Sequence, residues 1–208
     1  MAKVSRLVDM KMPKQMGKEE EWFGQRHFIP LSAVMISCIS KEGRPNIIPI
    51  ISWQFACRWP PIIGIGICRG DYTPSYFLRA SHKMILETGE FVINFPDVSM
   101  RDKITRTGEL TANDPHVDKF AQAGLTPGKS LVVKAPIVEE CPINLECVVT
   151  QHLPLGSHEL FLGEVVAYHQ DGELLRHENL EEIDVLEYEL PDGTHKTLRW
   201  CSLMRYQH

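Results

Sequence analysis

The chain has 208 residues, 43% of them hydrophobic, and carries 22 Lys and Arg against 27 Asp and Glu, a formal charge of -5. That length buries a full core in one domain, and the acidic balance without a basic stripe excludes a nucleic-acid groove, which needs clustered Lys and Arg. No apolar run reaches the roughly 20 residues of a membrane span, and the Lys- and Arg-bearing N-terminus leads into no signal-peptide core, so the expectation is a cytoplasmic protein without a membrane partner.

Residues 1–24, with the acidic run Glu19-Glu20-Glu21 before Trp22, read as an N-terminal arm. Ala33 to Ser40 is apolar and β-branched. Lys41-Glu42-Gly43-Arg44-Pro45 then supplies turn chemistry, and Asn46 to Phe55 resumes as a strand, giving a hairpin. Arg58-Trp59-Pro60-Pro61 interrupts the chain. Ile62 to Cys68 is a third strand in which Gly64 and Gly66 alternate with isoleucines, which invites a close approach on that face. Ser75 to Thr88 predicts a helix closed by Gly89, followed by a short strand from Phe91 to Phe95. Helical fragments at Met100 to Thr107 and Val117 to Ala123, stopped by Gly108 and Gly124, should pack outside the sheet. Ile143 to Leu153, Leu160 to His169 and Thr197 to Tyr206 are extended, with the acidic stretch Glu178 to Glu189 expected as a surface excursion. Strands dominate, and the architecture expected is a closed or nearly closed antiparallel barrel with peripheral helices.

Several chemistries lack a frame. Gly64-Ile-Gly66-Ile-Cys-Arg-Gly70 imitates a dinucleotide fingerprint, but its glycines lie inside a strand and no helix opens after them. The six cysteines form no CxxC pair and read as buried free thiols, and the nine histidines fall in no metal-ligand spacing. There is no GxSxG elbow and no phosphate-binding GxxxxGK[ST] loop, so no residue is assigned as catalytic nucleophile or metal ligand. What remains is uncharged: Asn46, Ser52 and Trp53 on an apolar strand can offer amide, hydroxyl and indole groups to a planar ligand rich in acceptors. Nearby, Arg79, Ser81 and Lys83 hold the hydroxyl and positive charge that a phosphate needs, although alone that segment reads as a solvated helix face.

The order of short motifs is more specific than any one of them. Gly43-Arg-Pro-Asn46, Ser52-Trp53, Pro60-Pro61-Ile62, Arg79-x-Ser81, Thr88-Gly-Glu-Phe91-x-x-Asn94-Phe-Pro96, Asp118-Lys-Phe120 with Gly124-Leu125-Thr126, Ala135-Pro136 and Leu145-Glu146-Cys147 follow one another. From about Pro30 to Val166 this pattern resembles the flavin reductase-like, FMN-binding split-barrel family, especially its flavoredoxin-type members. The resemblance implies a mainly β fold, a six-stranded antiparallel split barrel with peripheral helices, and a single domain over 1–208. The barrel core would be 25–167, and 168–208 a C-terminal extension with the last strand.

It also implies a homodimer and a non-covalently held FMN. Asn46, Ile51, Ser52, Trp53 and Gln54 would lie along the flavin ring, Arg79, Ser81, His82 and Lys83 near the phosphate, and Asn94 at the FxxN position. Lys119 could approach the site. The segment between Ile67 and Arg79 is longer than the pattern, so Asp71 to Thr73 is an alternative phosphate contact. The function implied is a flavoprotein oxidoreductase that uses NADH or NADPH. The alternatives are an electron-transfer flavoprotein of the flavoredoxin type served by a redox partner, and a cofactor-free binding module on the same barrel.

Overall fold

In a computed structural model of the chain, residues 32–70 and 78–171 are described throughout, together with the backbone of 180–189 and 195–204. The expected N-terminal arm and the alternative phosphate contact at Asp71 to Thr73 lie outside the described residues. The chain divides into two compact units, Met1–His169 and Gln170–His208.

The first unit is built on a seven-stranded antiparallel sheet: β1 (Val34–Ile39), β2 (Pro45–Ile50), β3 (Trp53–Cys57), β4 (Ile62–Cys68), β5 (Glu90–Phe95), β8 (Ile143–Pro154) and β9 (His158–Gln170). Their order across the sheet is β2-β1-β5-β8-β9-β4-β3. A short ladder of β6 (Pro127–Gly128) with β7 (Ile137–Val138) flanks it. Helix α1 (Ala80–Thr88) joins β4 to β5, and α2 (Arg101–Glu109) and α3 (Lys119–Ala123) fill the long connection from β5 to β6.

The sequence-adjacent strands β2 and β3 occupy opposite edges of this sheet, yet only Ile51 and Ser52 separate them. Three Cα–Cα steps span at most about 11 Å, whereas the outer strands of a flat seven-stranded sheet stand about 29 Å apart. The sheet must therefore roll until its edges meet. No ladder joins β2 to β3 among the described residues, so the roll stays split along that seam. The expected strand from Asn46 to Phe55 is thus two strands, broken where the chain crosses from one edge to the other. The barrel has seven strands rather than six.

β1 explains why its sequence is apolar throughout. Val34, Ile36 and Cys38 point into the roll with Ile63, Ile65, Phe91 and Phe161, while Met35 points outward beneath Met100, Phe120 and Leu125 of the helical connection. Both faces are buried, so the alternation of polar and apolar residues that marks a half-exposed strand is lost. The helical fragments do pack outside the sheet, as expected, although α2 runs through Gly108 to Glu109. α1 begins at Ala80, with Leu78 outside it, and ends at Gly89, whose φ of 70° is the left-handed cap that glycine adopts without strain. Gly43, at φ 84°, turns the β1–β2 hairpin in the same way.

Within the second unit, β10 (Leu180–Glu189) pairs antiparallel with β11 (His195–Met204). The acidic stretch expected as a surface excursion is therefore half of a hairpin. Its alternation of Leu, Ile and Val with Glu and Asp is a period-two pattern that the run of acids obscured.

One close approach in the sheet is testable. Gly163 of β9 lies beneath the Phe91 ring: a Cβ there would stand 2.6 Å from Phe91 Cζ and 3.0 Å from Cys147 Cβ. Phe91 is fully buried and has no free volume to retreat into. Gly163→Ala should cost about 1–3 kcal/mol by overpacking, read as a lowered midpoint in chemical denaturation at unchanged slope.

Candidate functional site

The split in the barrel opens a cleft of about 440 Å³, within the range of small-molecule sites. Four pieces of chain wall it: the β2–β3 crossing, the end of β4 with the start of β9, the N-terminus of α1, and the end of α2 with the residues after it. Ser52 fixes the crossing. Its Oγ donates to Gly66 O at 2.7 Å, and its own carbonyl accepts from Gly66 N at 2.7 Å. A Cβ on Gly66 would sit 3.1 Å from Ser52 Cβ, so the group that approaches this glycine-bearing strand closely is the protein's own crossing residue.

Of the residues expected at the site, Asn46, Ile51, Ser52, Arg79 and Ser81 line the cleft, and so does Lys119. The other five do not. Trp53 stands edge-on to Phe95, with ring centroids 5.1 Å apart, and its Nε1 donates to Ser32 O at 3.0 Å. Gln54 is exposed on β3. Lys83 points to solvent and pairs with Glu87 one turn on. His82 is buried against Glu159. Asn94 is fully buried: its Nδ2 donates to Met35 O and Ser37 Oγ, and its Oδ1 accepts from Val138 N and Asn144 Nδ2. That amide is consumed in joining β1, β5, β7 and β8.

Asn46 differs from Asn94 in the one way that matters for binding. It is 2% exposed, its Nδ2 reaches only Cys38 Sγ at 3.8 Å, and its Oδ1 is the one buried side-chain oxygen among the described residues that lacks a partner. An unsatisfied buried acceptor costs about 1–3 kcal/mol, and here it belongs to a cleft-lining residue. Cys38 beneath it is no nucleophile. Burial pushes its thiol up to about 12 despite the Asn46 contact and the nearby Lys119 charge.

The other end of the cleft is cationic. Lys119 is 6% exposed and, among the described residues, has no hydrogen-bond or ion-pair partner; burial, helped by the charge of Arg79, brings it down to about 8. His158 is also held below the ordinary histidine range, first by burial and then by Arg79, so it is neutral at pH 7. Among the described residues, no Asp or Glu lines this cleft. Ser81 sits in the first turn of α1, a helix whose Arg79 N-cap makes no side-chain capping bond and which has no acid in that turn. His82 N already donates to Arg79 O at 2.9 Å, which leaves the amides of Ala80 and Ser81 at the head of the helix to an anion.

The wall formed after α2 was not foreseen. Thr107, Gly108, Leu110, Thr111 and Ala112 face the cleft, and Arg44 of the β1–β2 hairpin holds this loop by donating to the carbonyls of Ala112, Asp114 and Val117 at 3.1, 2.7 and 2.8 Å. Arg44 does carry a sequence signal, its place in Gly43-Arg-Pro-Asn46, but its partners lie about 70 residues away along the chain. No group of three or more His, Cys, Asp or Glu able to hold a metal occurs among the described residues. Among them, too, no helix is long and apolar enough to cross a membrane.

Asn94 provides a test that separates support from binding. Asn94→Ala strands the Val138 amide and the Asn144 amide at once and should destabilise the protein by about 2–4 kcal/mol, visible in thermal melts without any added ligand.

Comparison with known proteins converges on one family. The family described as flavin reductase like domain matches residues 26–186. An uncharacterized protein of Aquifex aeolicus (strain VF5) is 32% identical over 138 residues, which cover 66% of this chain and 68% of its own. Among solved structures, nitrilotriacetate monooxygenase component B from Bacillus cereus superposes with a TM-score of 0.68 at 26% identity, covering 82% of this chain and 85% of its own. Flavoredoxin of Desulfovibrio vulgaris (Miyazaki F) shares the fold, with a TM-score of 0.62 at 24% identity over 81% of this chain and 87% of its own. With more than half of its length matched, the chain belongs to the flavin reductase-like domain family.

Proposed function

We propose that this protein is a flavin-dependent oxidoreductase that holds FMN without a covalent bond in the cleft and reduces it with NADH or NADPH. The observation that carries this reading is the pairing, in one cleft, of an unsatisfied buried amide oxygen with two cations that face no carboxylate among the described residues. The first fits the N–H on the pyrimidine edge of a flavin. The second fits a phosphate monoester.

Asn46 Oδ1 accepts from the ring edge, and the backbone at Ile51 and Ser52 borders the ring. Ser52 orients that backbone, because its hydroxyl proton is already committed to Gly66 O. Trp53 and Gln54 act from behind the crossing, the indole by fixing it against Phe95 and Ser32. Arg79, Ser81, Lys119 and the first amides of α1 receive the phosphate. Lys83, exposed at the same helix, adds long-range charge, and His82 and Asn94 hold the frame. A flavin held there by these residues would supply the redox chemistry of hydride and electron transfer. The residues bind, orient and shield, which agrees with a cleft that offers no activated nucleophile.

Two further features belong to this proposal: a homodimer, in keeping with the family resemblance, and action on a small-molecule or protein acceptor. Electron transfer without nicotinamide is the second reading, favoured by the likeness in fold to flavoredoxin. Anaerobic stopped-flow mixing decides between them: bleaching of the bound flavin by NADH or NADPH is expected, and no bleaching by either leaves only the second reading. Purified protein without flavin absorption that also fails to bind added FMN refutes both.

The cationic end predicts a pH profile. Lys119 is charged in the free protein below about pH 8, and phosphate binding raises its pKa, so FMN affinity is full below pH 8 and falls as pH rises above it. On the acid side affinity declines only as the phosphate gains its second proton, near about pH 6. Riboflavin, which lacks the phosphate, should show neither limb. Lys119→Gln should weaken FMN binding by about tenfold and flatten the alkaline limb, as measured by fluorescence titration from pH 6.5 to 9.5.

A further inference from the structure

Behind the cationic end of the cleft stands a chain of three titratable groups that lines no cavity. His82 follows Ser81 in the first turn of α1, and Glu159 follows His158 at the start of β9, so each lies one residue behind a cleft-lining group. Glu159 Oε2 accepts from His82 Nε2 at 2.6 Å, and its Oε1 accepts from His152 Nδ1 of β8 at 2.5 Å. Phe161 packs against both imidazoles, edge-on to His82 at 5.7 Å between centroids and stacked with His152 at 6.0 Å. The Glu159 side chain is 7% exposed and the His152 side chain 51%, so the chain runs from the interior to solvent. Burial alone would raise the Glu159 pKa, but the bonds from His82 and His152 outweigh it and keep the carboxylate ionised.

This arrangement supplies what α1 does not supply for itself. The helix starts at Arg79 without a side-chain cap, with no acid in its first turn, and its Arg79 N donates to Cys68 O only at 3.4 Å. The short charge-assisted bond from His82 to Glu159 is the strong tie between that first turn and the sheet. Two imidazoles also occupy both carboxylate oxygens, so the hydrogen bonds of Glu159 go to His82 and His152 rather than to Arg79 or Lys119.

We propose that His82, Glu159 and His152 form a positioning clasp that fixes the first turn of α1, and with it Arg79 and Ser81, in the geometry that receives the phosphate of the bound nucleotide. The proposal rests on the placement of an FMN phosphate at that helix, so its test compares FMN with riboflavin on the full-length protein. Glu159→Ala should weaken FMN binding by about tenfold or more while riboflavin affinity stays within about twofold. Glu159→Gln, nearly isosteric and still able to accept from one imidazole, should fall between it and the wild type. His152→Gln leaves the buried His82 bond in place and should cost less than either.

Should Glu159→Ala fail to fold, Glu159→Gln and His152→Gln carry the comparison with the same expected order. FMN and riboflavin weakening in step in the variants, or FMN affinity unchanged in all of them, would overturn the clasp while leaving the binding site intact. Wild-type protein that binds FMN no more tightly than riboflavin would instead overturn the phosphate placement, and the clasp with it.

Discussion

The structure depends on a length constraint at Ile51–Ser52. Two residues join strands that hydrogen-bond at opposite edges of one seven-stranded sheet, and a link that short exists only if the sheet rolls up. The described strands form no ladder between β2 and β3, so the roll stays open along that seam. The cleft is the space left over. At the crossing its wall is backbone and small side chains, with Ser52 and Gly66 locked together where a larger residue at position 66 would press on the crossing.

Charge is distributed to suit that cleft. The buried carboxylates nearby are all committed elsewhere: Glu146 accepts from the amides of Leu131, Val132 and Val133 and from His169, and Glu159 accepts from two imidazoles. For Glu146, as for Glu159, burial would raise the pKa and the donors more than offset it. Among the described residues, the cations at the cleft have no such partners. A lysine buried without a carboxylate costs stability, and the anion proposed for this cleft would complete the pair.

Much of the architecture was legible because the local signals were strong. Gly43 and Gly89 punctuate the chain where positive φ is needed, and Ile62 to Cys68 reads as a strand from its β-branched run alone. Asn46 stood out as a polar residue on an apolar strand, and the cleft holds it. Asn94 stood out for the same reason and proves to be a lattice of hydrogen bonds inside the sheet. A buried amide with four good partners and one with a free oxygen look alike in sequence; only the packing around them differs. Gln54, Lys83 and His82, expected beside the ligand from the resemblance and from the charge of Lys83, lie outside the cleft lining, since on a strand or helix the next residue faces another way.

Local chemistry along the chain determined the turns, most strands and, through the order of its motifs, the family. Those features depend on a residue and its near neighbours. Tertiary structure alone decided that Asn46 to Phe55 is broken at the barrel seam, that Arg44 holds a cleft wall formed some 70 residues later, and that Lys119 stands near enough to Arg79 to feel its charge. Each of these is a meeting of distant segments, set by how far a two-residue link lets two sheet edges separate.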